Sequence, residues 1–170
     1  MLSAPPKPQL FALPSRIEEL EAAREYIEHI DFSYLKVVMA NPPPAALGWS
    51  PEKLAYVEQQ YRNWLFLRRK YEEKTLPPSL SVDQFWHFHI LDSRSYWRDT
   101  LNIFGHYLHH FPYFGVRGPR DLRDLLAAYE ETQRLYTVEF GEEIYAFEEE
   151  AEEDEVVVEE AKGQEGRLRS

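Results

Sequence analysis

Apolar residues recur along the chain at three- and four-residue intervals, in blocks punctuated by proline clusters at Pro5, Pro6 and Pro8, at Pro42 to Pro44, and at Pro77 and Pro78. No alternation of apolar and polar positions is long enough to build a sheet, so the pattern predicts helices ended or separated by prolines. Ser15 and Glu18 form an S-x-x-E capping pattern ahead of Ile17, Leu20, Ile27 and Ile30, which predicts a first helix opening at Ser15. A short helix through Tyr34 to Met39 precedes the triple proline. Ser50 as cap and Pro51 at the first helical position open the next helix, with Leu54, Val57, Tyr61, Trp64 and Leu65 along one face, running to about Glu73. Ser81 and Gln84 repeat the capping pattern before Val82, Phe85, Trp86 and Ile90, predicting a helix over 82–91. A turn at Asp92 and Ser93 leads into another over 93–104, carrying Tyr96, Trp97, Leu101 and Phe104 and stopping at Gly105. Residues 111–119, with two prolines and two glycines among aromatics, read as an ordered loop packed on the body. A last helix over 121–140 carries Leu122, Leu125, Leu126, Tyr129 and Leu135.

These elements predict an all-α fold, a compact orthogonal or irregular bundle of five to six helices, over residues 15–140. Residues 1–14 read as a flexible proline-rich arm. The formal charge of -11 changes this picture only at the other end. Residues 1–138 carry 17 acids against 16 bases, whereas residues 139–170 carry 13 acids against 3 bases. Like charges repel there and few apolar residues offset chain entropy, so residues 141–170 are expected to be a disordered acidic tail, with a protein partner as its functional use. The near-neutral body has no basic stripe to release counterions from phosphates, and the run Arg68, Arg69, Lys70 is too short to supply one, so no nucleic-acid partner is expected. The start MLSAPPKPQLF has no basic region followed by a long apolar run, and no stretch approaches about 18 uninterrupted apolar residues. A cytoplasmic location without a membrane partner is the expectation.

The chain has no cysteine, so disulfides, thiolate ligands and a cysteine nucleophile are excluded and any metal must be held by nitrogen and oxygen. Of six histidines, His87, His89, His106, His109 and His110 lie within 24 residues, interleaved with Asp83, Asp92 and Asp99. Neutral imidazole with carboxylate is a common donor set for divalent metals. Asp83 and His87 are four residues apart and share a helical face, as do His106 and His110 if helical, so a carboxylate can bind beside an imidazole or orient it. His87 and His89 are two apart and point about 200° from each other on a regular helix, so they meet at one ion only if the backbone departs from helix near Phe88. Otherwise they have different jobs, and His87, sharing a face with Asp83, is the site member. The structural alternative is that imidazoles in an aromatic segment such as FWHFHILD are hydrogen-bonded packing residues, the reading preferred for His29. Trp86, Tyr96 and Trp97 read as core, and Arg94 and Arg98 as a solvated face. No G-x-S-x-G, H-E-x-x-H, Walker or G-x-G-x-x-G motif occurs.

The stretch V-D-Q-F-W-H-F-H-I-L-D-S-R-S-Y-W-R-D, followed by F-G and L-H-H-F-P-Y-F-G, resembles the glycine-rich domain-containing protein-like family. The family pattern D-x-x-W-H-x-H-x-L-x-x-x-x-Y-x-x-D and a later glycine falls here on Asp83, Trp86, His87, His89, Leu91, Tyr96, Asp99 and Gly105. Leu108 to Gly115 matches a bacterial-looking version. With seven glycines in all, the chain is a short form without the glycine-rich segment, and His106 and His109 lie off the pattern shared with eukaryotic members. The resemblance implies a helical domain and a site rather than a reaction.

Pattern and resemblance together select His87, His89, Asp99 and His110 as ligands of a divalent metal such as Zn, Fe or Mn. Asp83 and Tyr96 are the candidates for positioning a ligand or moving a proton in a metal-dependent enzyme. No other cofactor is expected. The competing reading is a non-enzymatic interaction module in which these residues form a buried network, and a third is a haem held by one axial histidine.

Overall fold

The architecture follows from one long helix that is buried on several sides. In the computed structural model, which describes residues 14–142 and 144, six helices run in the order α1 (Leu20–Glu28), α2 (Ser33–Met39), α3 (Pro51–Lys70), α4 (Leu80–Leu91), α5 (Ser93–Phe104) and α6 (Pro119–Phe140), with no strand among the described residues. The proline-rich arm to residue 13 and the acidic segment from residue 145 onward lie outside the described residues. No described helix is long and apolar enough to cross a membrane.

Ser50 caps α3 as its sequence predicts, the hydroxyl accepting from the Lys53 amide at 3.2 Å, with Pro51 in the first turn. Besides the expected stripe, α3 buries Arg62, Asn63, Phe66, Leu67 and Arg69, so it serves as a hub with neighbours on several sides: α1, α4 and α6. Its main face joins Phe32, Val82, Phe85, Trp86, Tyr96 and Ile103 in the principal core. Leu67 joins Leu76, Leu135, Tyr136 and Ile144 in a second cluster under α6.

The two buried arginines of α3 act on backbone carbonyls at the two ends of the α1 segment. Arg62 donates to the carbonyls of Ile27 and Ile30 at the end of α1, where a cation is favoured, and pairs with Glu58 at 2.6 Å. Arg69 donates to the carbonyls of Ile17 and Glu18, at 3.1 and 3.0 Å. Those contacts explain why the Ser15 cap is unused. Residues 15–19 run as a non-helical lead-in, with the Ile17 amide donating to the Asn102 carbonyl at 2.8 Å and Arg16 held by Glu72. A helix from Ser15 would forfeit these bonds, so α1 starts at Leu20 without a side-chain cap. A similar shift moves the start of α4: the Ser79 hydroxyl accepts from the Val82 amide, directly after Pro77 and Pro78, while Ser81 is buried in the first turn.

Asp92 alone joins α4 to α5, its carboxylate accepting from the Ser95 amide at 3.4 Å. The hairpin so formed sets α5 against α1 as well as α4. Trp97 departs from the expected core position and is 41% exposed. Gly105 ends α5 in the left-handed region at φ +77°, and a Cβ there would lie 3.1 Å from the Arg16 Cβ. Gly105→Ala is therefore expected to cost about 1–2 kcal/mol of stability. Urea unfolding measures it, and an unchanged midpoint would contradict this account of the α5 terminus.

Candidate metal centre

His87 and His89 leave α4 in opposite directions, as a regular helix requires, and the backbone does not depart from helix at Phe88. The histidines therefore enter two environments, one dry and one wet.

His89 is 2% exposed and Asp99 is fully buried. The His89 Nε2–H donates to Asp99 Oδ2 at 3.2 Å, and Tyr61 donates to the free Nδ1 at 2.9 Å, so one neutral tautomer satisfies both ring nitrogens. Burial pushes the Tyr61 phenol up and keeps it a donor. The second oxygen of Asp99 accepts from Tyr26 at 2.6 Å and from Arg98 at 2.9 Å, and Asn102 donates in turn to Tyr26 at 2.9 Å. Phe32, Tyr61 and Tyr96 meet the imidazole edge-on. Burial acts to raise the Asp99 carboxyl, but hydrogen bonds from His89, Arg98 and Tyr26 outweigh it and hold the group below the ordinary carboxylate value.

His87 points the other way, toward solvent, and meets His110 from the loop after α5. The two Nε2 atoms lie 3.1 Å apart. Asp83, one turn before His87, approaches both: Oδ1 is 3.0 Å from His110 Nε2 and Oδ2 is 3.6 Å from His87 Nε2. One donor atom from each of the three lies within 4.8 Å of the others, the only such group of three or more among the described residues. Its side chains are accessible in part: His87 is 49% exposed, Asp83 27% and His110 17%.

The delivery of His110 depends on two buried aromatics. Tyr96, fully buried on α5, donates its hydroxyl to the Leu108 carbonyl and accepts from the Trp86 indole N–H at 2.8 Å. The loop is thereby fastened two residues before His110, whose ring then packs on Trp86 with centroids 4.6 Å apart. With its hydroxyl engaged on both sides, and its phenol pushed up chiefly by burial, Tyr96 positions the loop; it is not placed to move a proton at the cluster.

The structure thus brings His87 and His110 together with Asp83, and not with His89 and Asp99. Asp83, read from sequence as an orienting group, stands among the donors. His106 and His109 stay outside: His106 Nδ1 contacts the Phe104 carbonyl and His109 packs on Tyr107. His29 is exposed, its Nδ1 on the Glu25 carbonyl. Arg98, expected on a solvated face, bonds Asp99 from its exposed position.

Beside the cluster opens a cavity of about 660 Å³, lined by Asp83, Trp86 and His110 together with Trp64, Arg68 and Phe111 among others. Sequence reasoning did not find Arg68, because it sits in a short basic run. Successive positions on a helix point about 100° apart, however, so a run of three disperses. Arg69 turns to the backbone ahead of α1, Lys70 pairs with Glu139 at 2.5 Å, and Arg68 enters the cavity wall.

Comparisons with family models, with curated proteins and with solved structures return no match. The functional reading therefore rests on the site alone.

The dry network yields a prediction. Asp99→Asn is expected to lower stability at neutral pH by about 1.5–3 kcal/mol, the range for hydrogen bonds to a charged group. Because folding depresses the Asp99 carboxyl, its contribution is complete above the unfolded value of about 3.9 and is lost as pH falls through the folded value. The gap between wild type and variant in urea unfolding should accordingly close as pH drops from 5 toward 2.5. A gap constant over that interval would show that the carboxylate charge is not what stabilises the network.

Proposed function

We propose that Asp83, His87 and His110 bind one divalent metal ion and that the protein is a metal-dependent enzyme acting on a small molecule held in the adjoining cavity. The observation carrying this reading is the spacing of the donors. Ligands about 2.0–2.1 Å from an ion sit about 3.3 Å apart when tetrahedral and about 3.0 Å apart when cis and octahedral. The His110–Asp83 Oδ1 and His87–His110 contacts of 3.0 and 3.1 Å fall in that range, and His87 Nε2 lies slightly beyond it, 3.6 Å from Asp83 Oδ2. Two rings and one carboxylate also leave coordination positions open, the mark of a reactive rather than a purely structural centre.

Zn, Fe and Mn are all compatible with two imidazoles and a carboxylate, and such an ion supplies a polarising charge able to activate water or dioxygen. The protein's own contribution is orientation. Trp86 fixes the His110 ring, Tyr96 fixes the loop that carries it, and the helical turn from Asp83 to His87 sets the carboxylate beside the second ring. The resemblance to the glycine-rich domain-containing protein-like family is compatible with this reading and adds no reaction to it.

A second reading, a non-enzymatic module with a structural polar network, draws on His89 and Asp99, whose burial and satisfied hydrogen bonds support a packing role for that half of the motif. Elemental analysis of untagged protein separates the two. The metal reading predicts about one ion per chain, lost in His87→Ala and in His110→Ala and weakened at least about tenfold in Asp83→Asn. His89→Gln should keep its metal while melting at lower temperature. Metal-free wild type that stays metal-free after incubation with Zn²⁺, Fe²⁺ and Mn²⁺ would leave the structural module as the better account.

A further inference from the structure

Of the polar groups in the cavity wall that the metal reading leaves unused, Arg68, Thr75, His109 and Arg117, the first stands out. It lies in the wall on α3, partly buried, and of its five N–H donors one is taken, by the Lys74 carbonyl at 2.8 Å. Among the described residues it meets no carboxylate. The other arginine of the wall, Arg117, is already held by Asp121 at 2.5 Å and stacks over Phe111. Burial acts against the Arg68 charge, which makes a guanidinium left without an anion costly. Aromatic and aliphatic side chains make up most of the rest of the lining, Trp64, Trp86, Phe111 and Phe114 foremost.

The charge balance of the cavity depends on the ion. Without one, the Asp83 carboxylate offsets Arg68. With a divalent ion the cluster becomes net positive, and Arg68 and the cluster then both favour an anion. We infer that the cavity takes a small carboxylate with an aromatic body, its carboxylate forked on Arg68 and its ring against the tryptophan and phenylalanine wall, so that another part of the molecule faces the metal cluster. Guanidinium and carboxylate match as a two-point pair, and a planar apolar body uses the aromatic lining. This inference rests on the metal reading above, because the ion removes the repulsion by Asp83. By reciprocity, metal and carboxylate strengthen each other's binding.

The test uses the full chain, untagged and loaded with Zn²⁺, titrated calorimetrically with 2-naphthoate and with its neutral counterpart 2-naphthamide. Naphthoate is expected to bind about tenfold or more tighter than the amide, the size of effect for one charge-assisted pair. Arg68→Met should bring that ratio close to one while zinc stoichiometry stays unchanged, and Arg68→Lys, which keeps the charge but loses the fork, should retain part of it. If Arg68→Met fails to fold, the Lys variant decides, since a full ratio there overturns the forked contact. Equal affinities for the two ligands, no binding of naphthoate, or a ratio that persists in Arg68→Met would also overturn the inference, the last by putting the carboxylate on the ion. A zinc titration without naphthyl compounds keeps the two readings apart. Zinc bound with no preference for naphthoate sinks this inference alone, whereas a naphthoate preference that needs Arg68 in protein that binds no zinc sinks the metal reading and leaves the anion site standing.

Discussion

Asp99 is a carboxylate with no access to water, and the molecule is arranged around satisfying it. Its oxygens take hydrogen bonds from His89 on α4, Tyr26 on α1 and the neighbouring Arg98, and His89 passes the connection to Tyr61 on α3. Four helices thus meet through one charge. A buried carboxylate missing one of these donors costs about as much as exposing a large apolar side chain, roughly 1.5–3 kcal/mol, so the relative rotation of α1, α3, α4 and α5 is restricted. Apolar burial alone would permit many such rotations, since hydrophobic contact has no direction.

That constraint also determines what His87 can do. With His89 turned inward to Asp99, a regular helix obliges His87 to face outward, on the same side as Asp83. The two-residue spacing in W-H-x-H therefore divides labour between a hydrogen-bonded core group and an accessible donor. Trp86 stands between them. Its indole N–H is tied to Tyr96, which meets the His89 ring edge-on, while the indole ring supports His110. The wet cluster is consequently held by the dry core and not by its own exposed contacts, an arrangement suited to a site whose geometry must persist with or without a ligand.

The long central helix supplies the remaining constraints through its basic residues. Arg62 and Arg69 look from their composition like surface charges, yet each closes carbonyls around α1. Arg62 and Arg69, seven residues apart, point nearly the same way, whereas Arg68 is turned about 100° from Arg69 and reaches the cavity. A charge of one sign thus has two separate uses within eight residues of one helix, distinguished only by which neighbour each side chain meets.

Much of the helical plan is legible in residue order, because its causes are local. Proline limits helix ends, Ser50 and Asp92 cap with their own side chains, Gly105 tolerates the left-handed terminus, and the four-residue spacing of Asp83 and His87 puts them on one face. Those features need only a few neighbouring residues. Where a distant partner competes, the local signal misleads: the Ser15 cap loses to carbonyl bonds with Arg69 and an amide bond with Asn102. For the same reason the single set of His87, His89, Asp99 and His110 resolves into two groups only in three dimensions, since Asp99 finds His89 by the folding of one hairpin and His110 finds His87 by the path of a loop fastened at Leu108. The sequence by itself determined which donors exist and which face of α4 each occupies. The tertiary structure decided which of them meet, because that depends on contacts between segments whose separation along the chain carries no record of their distance in space.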